Sequence, residues 1–257
     1  MSNEGDLSTT RTNFIKNRFI NLDHLLCERY SWMNTYINKS NNQNIVEIGS
    51  GPGFSELYLI KKPILTDIVK NDWIDCMLDA TKMPFDARSI DSIITSHTIH
   101  HFAKPYTFFM EVLRVLKENG VLLIQELHTS LLMRVLLRIM KHEGWSYDVD
   151  VFDPNSIVNN PQDPWSANCA VPTLYFENVK IFESIFRNDN FRLKVIRNEL
   201  CESITFPLSG GVIAKTSVPQ LPKNFLKFFS FIDKMLVKIA PNIFALGRRV
   251  VIKKVCS

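Results

Sequence analysis

Val46-Glu47-Ile48-Gly49-Ser50-Gly51-Pro52-Gly53-Phe54 decides how this chain is read. An apolar, β-branched run feeds directly into three alternate glycines, and the pattern that follows predicts a helix. Glycine lacks a Cβ, so it reaches backbone conformations closed to other residues and lets the chain pass close to a ligand. The sequence holds only nine glycines, and placing three within five positions exceeds what a turn alone requires. A dinucleotide site would need Gly-x-Gly-x-x-Gly. The sixth position is Phe54 counted from Gly49 and Glu56 counted from Gly51, so the chain departs from that pattern.

Outward from this stretch, short β-branched runs alternate with helical patterns, the signature of βα units on a parallel sheet. Strands are predicted at Asn44–Ile48, Pro63–Asp67, Ile74–Asp79, Ile90–Thr95 and Val121–Glu126, with a later pair at Phe191–Leu200 and Arg248–Lys254. Residues 105–117 predict a helix through the apolar stripe Phe108, Phe109, Val112, Leu113 and Leu116, ending at Glu118-Asn119-Gly120. Residues 11–38 predict one or two helices, 130–141 another, 144–173 a loop with four prolines, and 176–186 a further helix.

With 46% hydrophobic and 22% charged residues over 257 positions, the chain can bury a core without disulfides, and disordered or collagen-like architectures are excluded. The five cysteines are far apart and show neither Cys-x-x-Cys nor a ligand spacing, so reduced thiols, no metal site and a cytoplasmic setting are expected. The first fourteen residues lack an apolar signal segment, and no apolar run reaches the roughly 18 residues of a membrane span. Charge is uneven. From Lys215 onward nine Lys and Arg face the single acid Asp233, a net of +8, which leaves −4 on residues 1–214 out of a total of +4.

Acid-x-Gly-x-Gly-x-Gly at Glu47 to Gly53 resembles motif I of the class I S-adenosylmethionine-dependent methyltransferases. Leu65-Thr66-Asp67, then Leu78-Asp79-Ala80-Thr81-Lys82-Met83-Pro84-Phe85, then Ser89 to Ile94 and Glu111 to Gly120 follow in the order of the type 11 group of that family. The resemblance implies an α/β Rossmann-like sheet of seven strands in the order 3-2-1-4-5-7-6 with strand seven antiparallel. Its domain would be residues 43–257, preceded by an N-terminal helical lid over 1–42 and carrying an acceptor-side loop at 141–175 and a helical insertion at 203–246. It implies S-adenosylmethionine as cofactor. Gly49, Gly51 and Gly53 would hold its methionine part by backbone approach, Asp67 its ribose, and Asp79, with Ala80 and Met83 beside the ring, its adenine, and Glu47 would be a further cofactor-binding residue. Asp79 follows Asp67 by only twelve positions, so the usual helix between strands two and three is expected to be missing or reduced to a turn.

Glu126-Leu127-His128-Thr129-Ser130, Lys141-His142-Glu143 and Asp163-Pro164-Trp165-Ser166-Ala167-Asn168 are similar to a subgroup of such enzymes in bacterial surface-polysaccharide and other sugar-linked pathways. That implies methyl transfer to a hydroxyl of a small or lipid-linked glycan acceptor. Glu143, Trp165 and Asn168 would touch it. A histidine is the natural base near neutral pH. The candidates are His97, His100 and His101 after strand four, His128 after strand five, and His142; the edge where ligands bind in open α/β folds favours His100, His101 and His128, and the subgroup resemblance favours His142. Strand four is followed by Ser96-His97-Thr98 instead of the Asn-Pro-Pro-Tyr of amino-directed nucleic-acid enzymes, so no nucleic-acid partner is expected. The competing reading is a methyltransferase-like scaffold without catalysis.

Residues 223–239 predict a helix whose Lys223, Lys227, Lys234 and Lys238 fall within an arc of about 60°, while Phe225, Phe228, Phe229, Phe231, Ile232, Met235, Leu236 and Ile239 fill most of the rest. So wide an apolar sector has to be wrapped by other helices, join a homodimer, or rest on a membrane surface. Without an interleaved aromatic platform, its lysines make a poor nucleic-acid groove.

Overall fold

The computed structural model describes residues 6–37, 43–140, 143–211 and 217–257. Seven strands, β1 (Ile45–Ile48), β2 (Ile64–Asp67), β3 (Cys76–Met77), β4 (Ile90–Ser96), β5 (Leu116–Leu127), β6 (Phe191–Cys201) and β7 (Gly247–Cys256), form one sheet in the order β3-β2-β1-β4-β5-β7-β6. The first five pair in parallel, and β7 runs antiparallel to both β5 and β6. The described helices are α1 (Leu7–Asn17), α2 (Ile20–Ser31), α3 (Pro105–Val115), α4 (Leu131–Met140), α5 (Val171–Glu177), α6 (Val179–Ile185), α7 (Thr205–Leu208), α8 (Lys223–Ile239) and α9 (Pro241–Phe244). This is the mixed seven-stranded order expected from the sequence.

Parallel strands need both faces covered, and the residues alternate accordingly. Val46, Ile48, Ile93, Leu122, Ile124, Val250 and Ile252 point to one face, where Phe108, Phe109 and Val112 of α3 meet Tyr175, Phe176 and Phe182 from α5 and α6. On the opposite face Ile45, Ile94, Leu123 and Val251 lie under Phe14, Leu22, Leu26, Tyr30, Trp32 and Met33. The N-terminal helices are therefore part of the core as well as a cover for the site.

That cover compensates for missing crossovers. The helix expected after Gly53 is only a short 3-10 turn over Phe54–Leu57. Three positive φ angles at Gly49, Gly51 and Gly53 use up the start of the connection, and the residue before Pro63 is biased away from helix. No helix joins β2 to β3 either, and β3 is two residues long where Ile74–Asp79 had been expected. The helix expected over 105–117 ends at Val115, because β5 begins at Leu116. Glu118-Asn119-Gly120 is a kink within the strand, with Asn119 at φ +63°, where the register against β4 shifts between Ile90 and Ser92. The helix expected over 176–186 is two pieces, α5 and α6, broken at Asn178. Lys223–Ile239 is a helix with the expected bounds.

Candidate active site

The carboxyl ends of β1, β2 and β4 open into a cavity of about 460 Å³. Its wall includes Asp67, Asp79 and Ala80 at the β2 and β3 end and His97, Thr98 and His101 at the β4 end, with Gly49 and Gly51 of the β1 turn between them; Trp165 lines it too, and Leu7, Leu26, Arg29 and Tyr30 come from α1 and α2. Of the residues expected to bind cofactor, this brings together Gly49, Gly51, Asp67, Asp79 and Ala80. Glu47, Gly53 and Met83 lie behind the wall.

The three glycines are needed for different reasons. A Cβ on Gly49 would stand 2.2 Å from Thr98 Cγ2, and one on Gly53 would stand 2.9 Å from Trp73 Cδ1 and 3.0 Å from an Arg11 nitrogen. Those two make room for the protein itself. Around Gly51 nothing lies within 4 Å of an added Cβ, so its φ of +50° turns bare backbone toward open cavity. The turn is pinned from outside, where the Trp73 indole donates to the Gly51 carbonyl (2.8 Å) and Arg11 of α1 donates to the Pro52 and Gly53 carbonyls (2.6 and 3.2 Å) and pairs with Glu56.

Asp67 ends β2 with each carboxylate oxygen held by a backbone N–H, from Gly51 (2.9 Å) and Val69 (3.0 Å). Asp79 accepts at Oδ1 from the backbone N–H and the hydroxyl of Thr81 (2.8 and 2.7 Å). Glu47 is buried and points to the α2 side, where Ser55 Oγ (2.6 Å) and Tyr30 Oη (3.3 Å) meet its carboxyl, and burial pushes that carboxyl up to about 7. Met83 is fixed by its backbone, donating to Glu111 and accepting from Arg114.

At the other end of the cavity, the turn after β4 carries two adjacent histidines with opposite fates. His100 Nδ1 bonds Glu126 Oε2 (2.7 Å) and its Nε2 lies 3.6 Å from Glu143 Oε2. Glu126 is completely buried and its other oxygen accepts the N–H groups of Thr98 and Ile99 (2.7 and 2.6 Å). Burial alone would push His100 down, but the two carboxylates outweigh it and hold the ring well above its ordinary value, protonated. Burial would raise Glu143, yet the bond and charge of His100 keep it well below the carboxylate range, ionised. His101 is the reverse. Burial, reinforced by the positive His100 beside it, lowers it to about 4, so it is neutral. Its Nδ1 is 3.2 Å from the Ser166 carbonyl, which places the proton there and leaves Nε2 as an acceptor, 3.8 Å from Glu143 Oε1.

The other expected acceptor-side residues are placed differently. Trp165 lines the cavity. Asn168 is buried and works as a fastener, accepting from the Ser146 and Ala170 N–H groups and donating to the Ser146 carbonyl (2.9, 3.1 and 3.0 Å). His128 is buried between Thr173 and the Arg248 guanidinium, 3.1 Å away, and burial with that charge lowers it to about 3, so it neither lines the cavity nor takes a proton readily. His142 lies outside the described residues. Sequence reasoning did not single out Glu126, as the acid that fixes His100, or Arg29, on the cavity wall and paired with the buried Glu202 (2.7 Å). His97 stands out by its backbone, a non-glycine residue at φ +54° on the cavity wall; its ring stacks on Phe206, and among the described residues its buried Nε2 has no hydrogen-bond partner. His100, His101 and Glu143 offer three donor atoms within 4.8 Å of one another, a grouping invisible in the spacing because Glu143 arrives from the far loop.

The family model of a methyltransferase domain matches residues 46–124, from β1 through most of β5. No curated protein matches the sequence. Among solved structures the chain is similar to a SAM-dependent methyltransferase from Archaeoglobus fulgidus, at 19% identity and a TM-score of 0.51, over 95% of this chain and 99% of that one. It is also similar to phosphoethanolamine N-methyltransferase 1 of Haemonchus contortus, solved with phosphoethanolamine and S-adenosylhomocysteine, at 12% identity and a TM-score of 0.51, over 99% of this chain and 49% of that one. At these identities the structural likeness speaks to the fold. Residues 46–124 thus match a methyltransferase domain whose glycine turn and acids line one cavity, and the chain as a whole shares the fold of such enzymes.

Proposed function

We propose that the protein transfers a methyl group to a hydroxyl of a small or carrier-linked acceptor, with a sugar as the acceptor class. The observation that carries this reading is the neutral imidazole of His101 on the wall of the cavity that also holds Gly51 and Asp67. The glycine turn, open at Gly51, receives the methionine part, the Asp67 carboxylate accepts from the ribose hydroxyls, and Asp79 accepts from the adenine amino group. Bound there, the cofactor supplies a methyl already activated on a sulfonium, so a C–O bond forms as the C–S bond breaks and its electron pair stays on sulfur.

The protein's share is to position the acceptor and take its proton. His101 Nε2 receives the hydroxyl proton, and the resulting imidazolium faces the Glu143 carboxylate 3.8 Å away, while Ser166 keeps the ring oriented. His100, clamped between Glu126 and Glu143, fixes Glu143 in its ionised form. Trp165 offers a flat apolar face for a sugar ring. The sugar assignment rests on the resemblance of residues 126–130, 141–143 and 163–168 to the sugar-linked subgroup.

A labelled methyl-transfer assay over nucleotide sugars, lipid-linked glycans and small phenols tests this. His101→Asn is expected to lower kcat about 10²- to 10⁴-fold with S-adenosylhomocysteine affinity unchanged. Because His101 is held near 4, the acid limb of the wild-type rate should lie near that pH, with no fall through the ordinary histidine range around 6.5. Label on an amine and never on a hydroxyl would overturn the acceptor class, and an unimpaired His101→Asn would overturn the base.

A further inference from the structure

Helix α8 is anchored on one face and bare on the other. Leu226 is buried, Ser230 Oγ meets His24 Nε2 (2.7 Å), and Asp233 accepts the N–H groups of Ser203, Ile204 and Thr205 (3.0, 2.6 and 3.2 Å). The one acid after Lys215 is therefore spent inward, and the orientation of the helix is fixed by polar bonds. Its outer face carries Phe225, Phe228, Phe231 and Ile239, exposed by 59, 57, 59 and 74%. At 100° per residue these side chains, with Met235, span an arc of about 120°, and Lys223, Lys227, Lys234 and Lys238 run along one edge of it. Beside α8, α9 packs against both α8 and α4, and α4 exposes Leu131, Val135 and Ile139 in a row at every fourth position. Scattered exposed apolar residues are ordinary, whereas a contiguous row this size marks an interaction surface.

We infer that the face built by α4, α8 and α9 seats in the interface of an anionic lipid bilayer, with the aromatic and aliphatic side chains in the headgroup boundary and the lysine row on the headgroups. The occupant follows from the charge. A broad apolar strip bordered by cations, with no outward acid on the helix, complements anionic headgroups above apolar chains. Among the described residues no helix is long and apolar enough to cross a membrane, so the contact is peripheral. The face is also coupled to the cavity, since Asp233 holds Thr205 on α7 and the next residue, Phe206, stacks on the cavity-wall His97 at 6.1 Å. The inference deepens the proposed function by naming the carrier of its acceptor as a lipid.

Flotation of the full chain with vesicles of phosphatidylcholine alone, and with phosphatidylglycerol added, tests it. The wild type should float with the anionic vesicles only and detach as salt screens the lysines. Lys227→Glu/Lys234→Glu/Lys238→Glu should lose partition on the order of 100-fold, from about a factor of five per lysine. Phe228→Ser/Phe231→Ser should lose it roughly tenfold or more. Both variants alter exposed positions and should keep wild-type S-adenosylhomocysteine binding in calorimetry. Wild type that stays with neither vesicle, or a chain that sediments as a dimer and becomes monomeric in the Phe228→Ser/Phe231→Ser variant, overturns the inference. Binding of S-adenosylhomocysteine without flotation sinks this inference alone, and flotation without that binding sinks the proposed function alone.

Discussion

Glu47 shows how one buried group can tie stability to pH. Its side chain is 1% exposed, and burial holds the carboxyl at about 7 against the ordinary 4.5, so between those values the folded chain binds a proton that the unfolded chain has released. Stability from this group is complete below about 4.5 and is lost as pH rises through 7. A shift of that size corresponds to about 3 kcal/mol at order-of-magnitude precision. In urea unfolding from pH 5.5 to pH 8, wild type should lose stability relative to Glu47→Gln, which keeps an acceptor for Ser55 and carries no charge. Equal pH dependence in the two proteins would contradict the assignment. His101 and His100 make the same point at the site. They are neighbours in the chain and on one turn, yet two carboxylates charge one ring while burial empties the other.

The element that matters most is the turn after β1. All three glycines have positive φ, but the cost of a methyl differs among them. Gly49→Ala drives a Cβ into Thr98 and should destabilise the fold by roughly 1–3 kcal/mol beyond the backbone strain. Gly51→Ala meets only that strain, about 1–2 kcal/mol, and its methyl enters the cavity, so it should weaken S-adenosylhomocysteine binding more than it weakens folding. Unfolding and calorimetry on the two variants should rank them in opposite order. The turn itself was legible because it is local: strand, bare backbone and acid follow one another in the chain. So was α8, where seventeen residues of helical period after Pro222 set both ends. The helix expected after Gly53 was not, since a glycine-rich turn and Pro63 leave it no room. Nor was the site's far end, because Glu126, Glu143 and Ser166 reach His100 and His101 from β5 and a distant loop, and no local pattern records that meeting.

Across the whole molecule, one shortage explains the layout. The crossovers beside β1, β2 and β3 are too short to carry helices, so α1 and α2 come from the N-terminus to bury that face of the sheet through Phe14, Leu26, Tyr30 and Met33. The same helices then close the cavity with Leu7, Leu26, Arg29 and Tyr30, and Arg11 ties α1 to the glycine turn. The cavity wall and the buried half of the sheet thus share residues such as Leu26 and Tyr30. The order of the sheet could be read from the motif order alone. The substitution of N-terminal helices for crossovers could not, because it is a contact between segments with no sequence pattern in common.

The most direct test is calorimetric titration of S-adenosylhomocysteine into wild type, Asp67→Asn and Asp67→Ala. Asp67 sits where β2 ends and touches the glycine turn through Gly51. Wild type should bind with micromolar affinity at one site per chain, and Asp67→Ala should lose on the order of 10- to 100-fold, the cost of hydrogen bonds to a charged acceptor. Asp67→Asn should fall between the two. Absence of binding to folded wild type, or equal affinity in Asp67→Ala, would contradict this expectation.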